Sequence, residues 1–119
     1  MFNFSTIKEI WGLPDNARID FIGVVISIGD LDEINLKSGR VKPVWRIVIA
    51  DNSEEKGISI QVAFWGEICK KLNFPKGTVL AMKAIKVGVY NGKSLNVSEE
   101  NIFTSDYKGR ERDLLERWA

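Results

Sequence analysis

The sequence predicts an all-β domain: a five-stranded Greek-key barrel with a short helix between strands three and four and a second helix at the carboxyl end. Two observations carry this. β-Branched runs alternate apolar and polar side chains at a period of two, separated by Gly, Asn and Pro turn clusters. A helical stretch fits within the strand series at one place, after the third run.

Thr6-Ile7-Lys8-Glu9 has capping-box spacing and starts one short helical turn that ends before Gly12 and Pro14. Strand one spans Asp20 to Ile28 and puts Ile22, Val24, Ile26 and Ile28 on one face; Gly23 inside it marks a bend or a close backbone approach. The polar stretch from Gly29 to Pro43, with Lys37, Arg40 and Lys42, reads as a long flexible loop that can flap over a groove. Strand two, Val44 to Asp51, places Trp45, Ile47 and Ile49 on one face and Arg46, Val48 and Ala50 on the other. In strand three Ile58, Ile60, Val62 and Phe64 form the core set, which pushes Trp65 to the face of Ser59, Gln61 and Ala63. A short helix over Glu67 to Leu72 precedes the Pro75-Lys76-Gly77 turn; strands four and five are Thr78 to Val89 and Lys93 to Val97.

The register of the last hairpin follows from side-chain sorting. A two-residue Asn91-Gly92 turn pairs Val89 with Ser94 and mixes polar with apolar residues on both faces. A three-residue loop, with Gly92 left-handed as a bulge, pairs Val87 with Leu95, Ile85 with Val97, Lys86 with Asn96 and Gly88 with Ser94. That loop separates core from surface and leaves Tyr90 at the tip. The chain closes with an amphipathic segment, Arg110 to Trp118, whose Leu114, Leu115 and Trp118 face the barrel mouth or a neighbour. No repeat, low-complexity tract or linker divides the chain, so residues 1–119 are expected to form one OB-fold domain, with Gly23 and Gly88 supplying the strand curvature that closure needs.

Composition narrows the function. The 119 residues contain no histidine and one cysteine, Cys69, which excludes Ser-His-Asp and Cys-His catalytic groups, an internal disulfide and a Cys/His zinc site. No paired carboxylates suggest acid/base work, and Gly92-Lys93-Ser94 lacks both the earlier glycine and the following helix of a phosphate-binding loop. No enzyme, cofactor, metal or small-molecule substrate is expected. Seventeen basic against sixteen acidic side chains, net +1, argue against holding duplex DNA mainly through charge. No stretch approaches the roughly 20 apolar residues of a membrane span, so a membrane partner is not expected and the location reads as cytosolic or nuclear.

Two rings, Trp65 and Tyr90, fall where alternation says the core is not, on an outer face predicted to carry Arg46, Gln61, Lys86, Lys93, Ser94 and Asn96. Stacking platforms among a few cations and amides suit an unpaired strand, whose bases expose their π-faces. The blander alternatives are that Trp65 packs under the following helix and that Tyr90 covers the barrel mouth. Trp45 is assigned to the core, and Trp11 and Trp118 to packing.

Asp20-Phe21-Ile22-Gly23-Val24-Val25, the strand ending at Asp51, Val62-Ala63-Phe64-Trp65-Gly66-Glu67, Ala81-Met82-Lys83-Ala84-Ile85-Lys86-Val87, Gly92-Lys93-Ser94-Leu95-Asn96-Val97 and Leu115-Glu116-Arg117-Trp118 occur in the order found in the replication protein A large-subunit family. The chain resembles that family over nearly its whole length, most of all its second central DNA-binding domain. Trp-Gly-Glu after strand three and Gly-Lys-Ser-Leu after the hairpin are fairly specific together. The resemblance implies that Trp65 and Tyr90 stack on bases of single-stranded DNA. It further implies that the chain is one module among tandem OB-folds, nuclear, and engaged in replication and repair, or at telomeres or in meiosis as in paralogues. Tyrosine stands here for the family's phenylalanine and Lys86 for its arginine, both keeping the chemistry; Val41 to Arg46 is less basic than the family's strand two. The rival reading is a protein-interaction module using the same groove, or the Leu114 and Trp118 face.

Overall fold

Thr6 caps the first helix as its spacing predicts: its side chain accepts from the Glu9 N–H, and the Glu9 carboxylate accepts from the Thr6 N–H. The computed structural model describes residues 3–54, 57–89, 93–98 and 101–118. Helix α1 (Ile7–Ile10) is followed by β1 (Arg18–Asn35), β2 (Val41–Asp51), β3 (Ile58–Trp65), a 3-10 turn over Glu67–Lys71, β4 (Val79–Val89), β5 (Lys93–Val97), β6 (Ile102–Thr104) and α2 (Arg110–Trp118).

The sheet runs β1-β2-β3-β5-β4-β6, and β1 also pairs with β4, which closes it into a five-stranded barrel with β6 attached to β4. One strand makes both joins. Its Arg18–Val24 half lies antiparallel to β4 and its Val24–Asn35 half antiparallel to β2. Gly23 sits at the changeover, where an added methyl would lie 2.3 Å from Ile49 Cγ2 and 2.9 Å from the Ala50 carbonyl oxygen. Only a residue without Cβ lets the strands approach this closely.

The interior is filled by Ile19, Phe21 and Val25 of β1, Trp45, Ile47 and Ile49 of β2, Ile60, Val62 and Phe64 of β3, and Leu80, Met82, Ile85, Val87, Leu95 and Val97 of β4 and β5. Ile7 and Ile10 of α1 join this core, and the buried Asp51 anchors the helix by accepting the Ile7 N–H at 2.8 Å. Phe74 and Phe103 pack against Phe64, with centroids 5.9 and 5.6 Å away. Trp45 is a core residue as predicted, its indole N–H donating to the Gly29 carbonyl at 2.8 Å.

The β4–β5 hairpin has the register that side-chain sorting selects. Lys86 pairs with Asn96, Val87 with Leu95, Gly88 with Ser94 and Val89 with Lys93, leaving residues 90–92 to connect them.

Several expectations are corrected. Residues 29–43 are not a long loop: β1 continues to Asn35 and β2 starts at Val41, with pairs from Leu31 and Trp45 to Asn35 and Val41. Only Leu36–Arg40 turns, closed by the Leu36 N–H to the Arg40 carbonyl at 2.8 Å. The Ile22, Val24, Ile26, Ile28 face, left without a side by the sequence, lies outside the barrel. Phe21 and Val25 point inward, Ile22 and Val24 pack outside against Leu115 of α2, and Ile26 and Ile28 are exposed. Irregularities between Val25 and Ser27 and between Ile28 and Leu31 change the phase, which a strict period of two cannot anticipate. Helix α2 lies on this outer surface of β1 and β4 rather than at the mouth. Leu114 and Trp118 stay exposed, as does Trp11. Strand β6 was not expected.

A β-bulge stands opposite Asp20. Ile19 pairs with Ile85 but Phe21 with Met82, so Lys83 and Ala84 share one partner, and Ala84 takes φ +54°. The Asp20 carboxylate holds the bulge, accepting from the Ala84 N–H at 2.8 Å, the Asn3 N–H at 2.8 Å and Lys83 Nζ at 3.4 Å. Burial raises its pKa, but those hydrogen bonds and the Lys83 charge outweigh burial and hold it below 3.8.

Two outcomes are expected. Ala84→Gly relieves the left-handed strain at the expense of added unfolded-state freedom, and should raise stability by about 0.5–1 kcal/mol in urea denaturation. Asp20→Asn should be less stable than the parent by about 1 kcal/mol at neutral pH, the difference between charged and neutral hydrogen bonds. Because the folded-state pKa is lowered, that advantage of Asp20 is present above the ordinary 3.8 and is lost as pH falls through the folded value; the two proteins should converge in strong acid.

Candidate nucleic-acid interface

Strand alternation builds the site. Phe64 is fully buried, and Trp65, the next residue, stands half-buried on the outer face of the sheet. Adjacent strands bring further side chains to the same face in rows. Arg46 of β2 pairs with Ala63 of β3, Ala63 with Asn96 of β5, Asn96 with Lys86 of β4 and Lys86 with Arg18 of β1. The next row is Val48, Gln61, Ser94 and Gly88.

Within these rows lies a cleft of about 250 Å³, lined by Ile34, Arg46, Gln61, Ala63, Trp65, Ser94 and Asn96. Small Ala63 gives depth to a space that Trp65 and Ile34 wall with apolar surface. Asn96, Gln61, Ser94 and Arg46 supply hydrogen-bonding groups, and Arg46 is also within 3.8 Å of Asp32. A broader depression of about 480 Å³, with Lys42 and Glu67 among its lining residues, borders Trp65 as well.

Trp65 is held by named contacts. Its indole N–H donates to Asn96 Oδ1 at 3.0 Å, and Lys42 Nζ lies 5.7 Å from the ring centroid, within cation–π range. The structure thus brings together Trp65, Arg46, Gln61, Ser94, Asn96 and Lys42. Lys86 is exposed on the same face, one strand beyond Asn96.

Lys37 and Arg40 are exposed in the turn of the β1–β2 hairpin and are not among the residues that line the cleft. Lys93 is a correction. It shares the inward parity of Leu95 and Val97, and its ammonium donates to the Leu13 carbonyl. Tyr90 lies outside the described residues. Ile34 was missed in the sequence because it stands three residues after Leu31, beyond a strand irregularity, with acidic and amide neighbours on either side. Among the described residues no cluster of His, Cys, Asp or Glu could hold a metal ion, and no helix is long and apolar enough to cross a membrane.

The architecture defines an OB-fold barrel that presents an aromatic, amide-lined cleft on its outer face. Residues 7–106 match the family model described as the replication protein A OB domain, and the chain belongs to that family. It is 28% identical over 117 residues to replication factor A protein 1 of Saccharomyces cerevisiae, with 98% of this chain and 18% of that protein covered. It is 27% identical over 118 residues to replication factor A protein 1 of Schizosaccharomyces pombe, covering 98% of this chain and 19% of that protein. A solved replication protein A heterotrimer bound to single-stranded DNA superposes with a TM-score of 0.88 at 26% identity, over 99% of this chain and 28% of the solved one. The chain thus spans less than a fifth of these two curated relatives.

Proposed function

We propose that the chain is a non-catalytic, single-stranded DNA-binding module of a replication protein A-like large subunit, acting in the nucleus in replication and repair or in telomere maintenance. The observation that carries this reading is the Trp65 ring, standing outside the barrel beside a cleft and a row of cations and amides. The family membership and the DNA in the solved heterotrimer support it.

DNA lies across the outer face from β2 to β4. One base stacks on Trp65 over the cleft bordered by Gln61 and Ser94, and a second stacks on Tyr90. Phosphates are met by Arg46, Lys86 and Lys42, and by Lys37 and Arg40 of the hairpin where the strand reaches them.

Each ring contributes about 1–3 kcal/mol. Two rings then supply roughly 2–6 kcal/mol, against about 8 kcal/mol for micromolar binding, so the single module is weak and polar contacts supply the remainder. Tight binding comes from tethering several modules on one strand, the further OB-folds of the same chain or complex, which raises effective concentration without new contacts. Three or four phosphate contacts give a log-log salt slope of about −2 to −3.

A second reading has one observation of its own: exposed Trp118 and Ile26 border a shallow depression with Ala50 and Ile58, a surface suited to protein contact. Titration with oligo-dT separates the two, because tryptophan quenching with saturable binding is expected only of the DNA reading.

Trp65→Ala should weaken oligo-dT binding by about 5- to 150-fold, the equivalent of one stacking contact. Fluorescence anisotropy measures the loss and urea denaturation confirms the fold; unchanged affinity would remove Trp65 from the site. Tyr90→Phe should bind like the parent and Tyr90→Ala several-fold more weakly. Equal losses in both would assign the contact to the phenol hydroxyl.

A further inference from the structure

Trp65 carries one polar group, and the fold occupies it. Its indole N–H donates to Asn96 Oδ1 across the β3–β5 pairing, at 3.0 Å. With that oxygen turned to Trp65, the Asn96 amide nitrogen lies over Gly88 of β4, where a Cβ built on Gly88 would stand only 2.4 Å away. Gly88 is buried and is not among the glycines with positive φ, so its backbone does not require glycine. What a methyl there would displace is the Asn96 amide, the movable end of its side chain. Three strands therefore cooperate on one ring: β4 leaves the room, β5 supplies the acceptor, and β3 presents the indole.

We propose that Asn96 is a positioning residue that fixes the plane of Trp65 for base stacking, and that Gly88 is the gap in which Asn96 adopts this pose. The inference rests on the reading of Trp65 as a base platform. A ring already held at the edge of its cleft loses less side-chain freedom when a base arrives, and preorganisation of this kind appears directly as affinity. The same bond withdraws the indole N–H from the ligand, so that Trp65 offers a base its face and no donor. A platform that reads no edge is tolerant of sequence.

The test is a double-mutant cycle read in two ways. In the free protein, the Trp65 indole signal in a nitrogen–proton NMR spectrum, identified among the four tryptophans with Trp65→Phe, reports the hydrogen bond. Asn96→Ala and Gly88→Ala should each shift that signal towards a solvent-exposed indole and speed its hydrogen exchange. Asn96→Asp, which keeps an acceptor, should leave the bond in place. Binding of oligo-dT should weaken several-fold in Asn96→Ala and in Gly88→Ala. The double variant should be no weaker than Asn96→Ala, because without the amide the methyl at position 88 meets nothing closer than Ser94 Oγ at 3.5 Å.

An indole signal indifferent to Asn96→Ala, additive losses in the double variant, or a freed indole with undiminished binding would each overturn the proposal. The first NMR readout needs no DNA. Unchanged binding in Trp65→Ala would strike the platform reading and, with it, the role in stacking, while the indole signal would still report the hydrogen bond; a silent indole beside a weakened Trp65→Ala would strike the positioning alone.

Discussion

Closure of the sheet through β1 is the constraint on which the rest depends. One strand hydrogen-bonds to β4 with its first half and to β2 with its second, and the two halves meet where Gly23 lets the backbones come close. Once the sheet is closed, every strand has a committed inside and outside. A slip of one residue in β3 would drive the Trp65 indole into space filled by Phe64 and expel Phe64 to the surface. The outward-facing ring is thus a by-product of a fully packed interior, in which Phe64, Val62 and Leu95 are all inaccessible to solvent.

The parts of the fold that could be read in the sequence are those governed by strict alternation or by cap and turn chemistry. Ile60, Val62 and Phe64 against Gln61, Ala63 and Trp65 fix β3, the Thr6 and Glu9 spacing fixes α1, and face sorting fixes the β4–β5 register. What could not be read lies at irregularities. Two shifts in β1 break the period after Val25 and Ile28. The same shifts hide the continuation of the strand to Asn35, because Asp32 and Glu33 look like loop residues when their pairing with Val44 and Pro43 is invisible. In the site, Trp65, Gln61, Ser94 and Asn96 were accessible by parity; Lys93 was misassigned by ignoring the parity of its own strand. Ile34 needed the three-dimensional pairing with Lys42 before it could be seen beside Trp65.

A net charge of +1 conceals an uneven distribution. Arg46, Lys86 and Arg18 fall in one row across the outer face, while Asp32 stands beside Arg46 at its β2 end. Local order, not overall excess, gives this face its sign. On the proposed reading, so few cations leave stacking to supply most of the contact and give little hold on duplex DNA.

The β1–β2 hairpin has one more consequence. Because Leu31–Asn35 are zipped to Val41–Trp45, the wall carrying Ile34 and Lys42 is formed when the chain folds. A floppy segment would have to be frozen at each encounter, at roughly 1–2 kcal/mol per residue of backbone freedom. On the proposed reading the jaw is already set when a single strand arrives, and the chief disorder removed is that of the incoming polymer. Capture should then be paced by diffusion and by straightening of the ligand, with little conformational search by the protein.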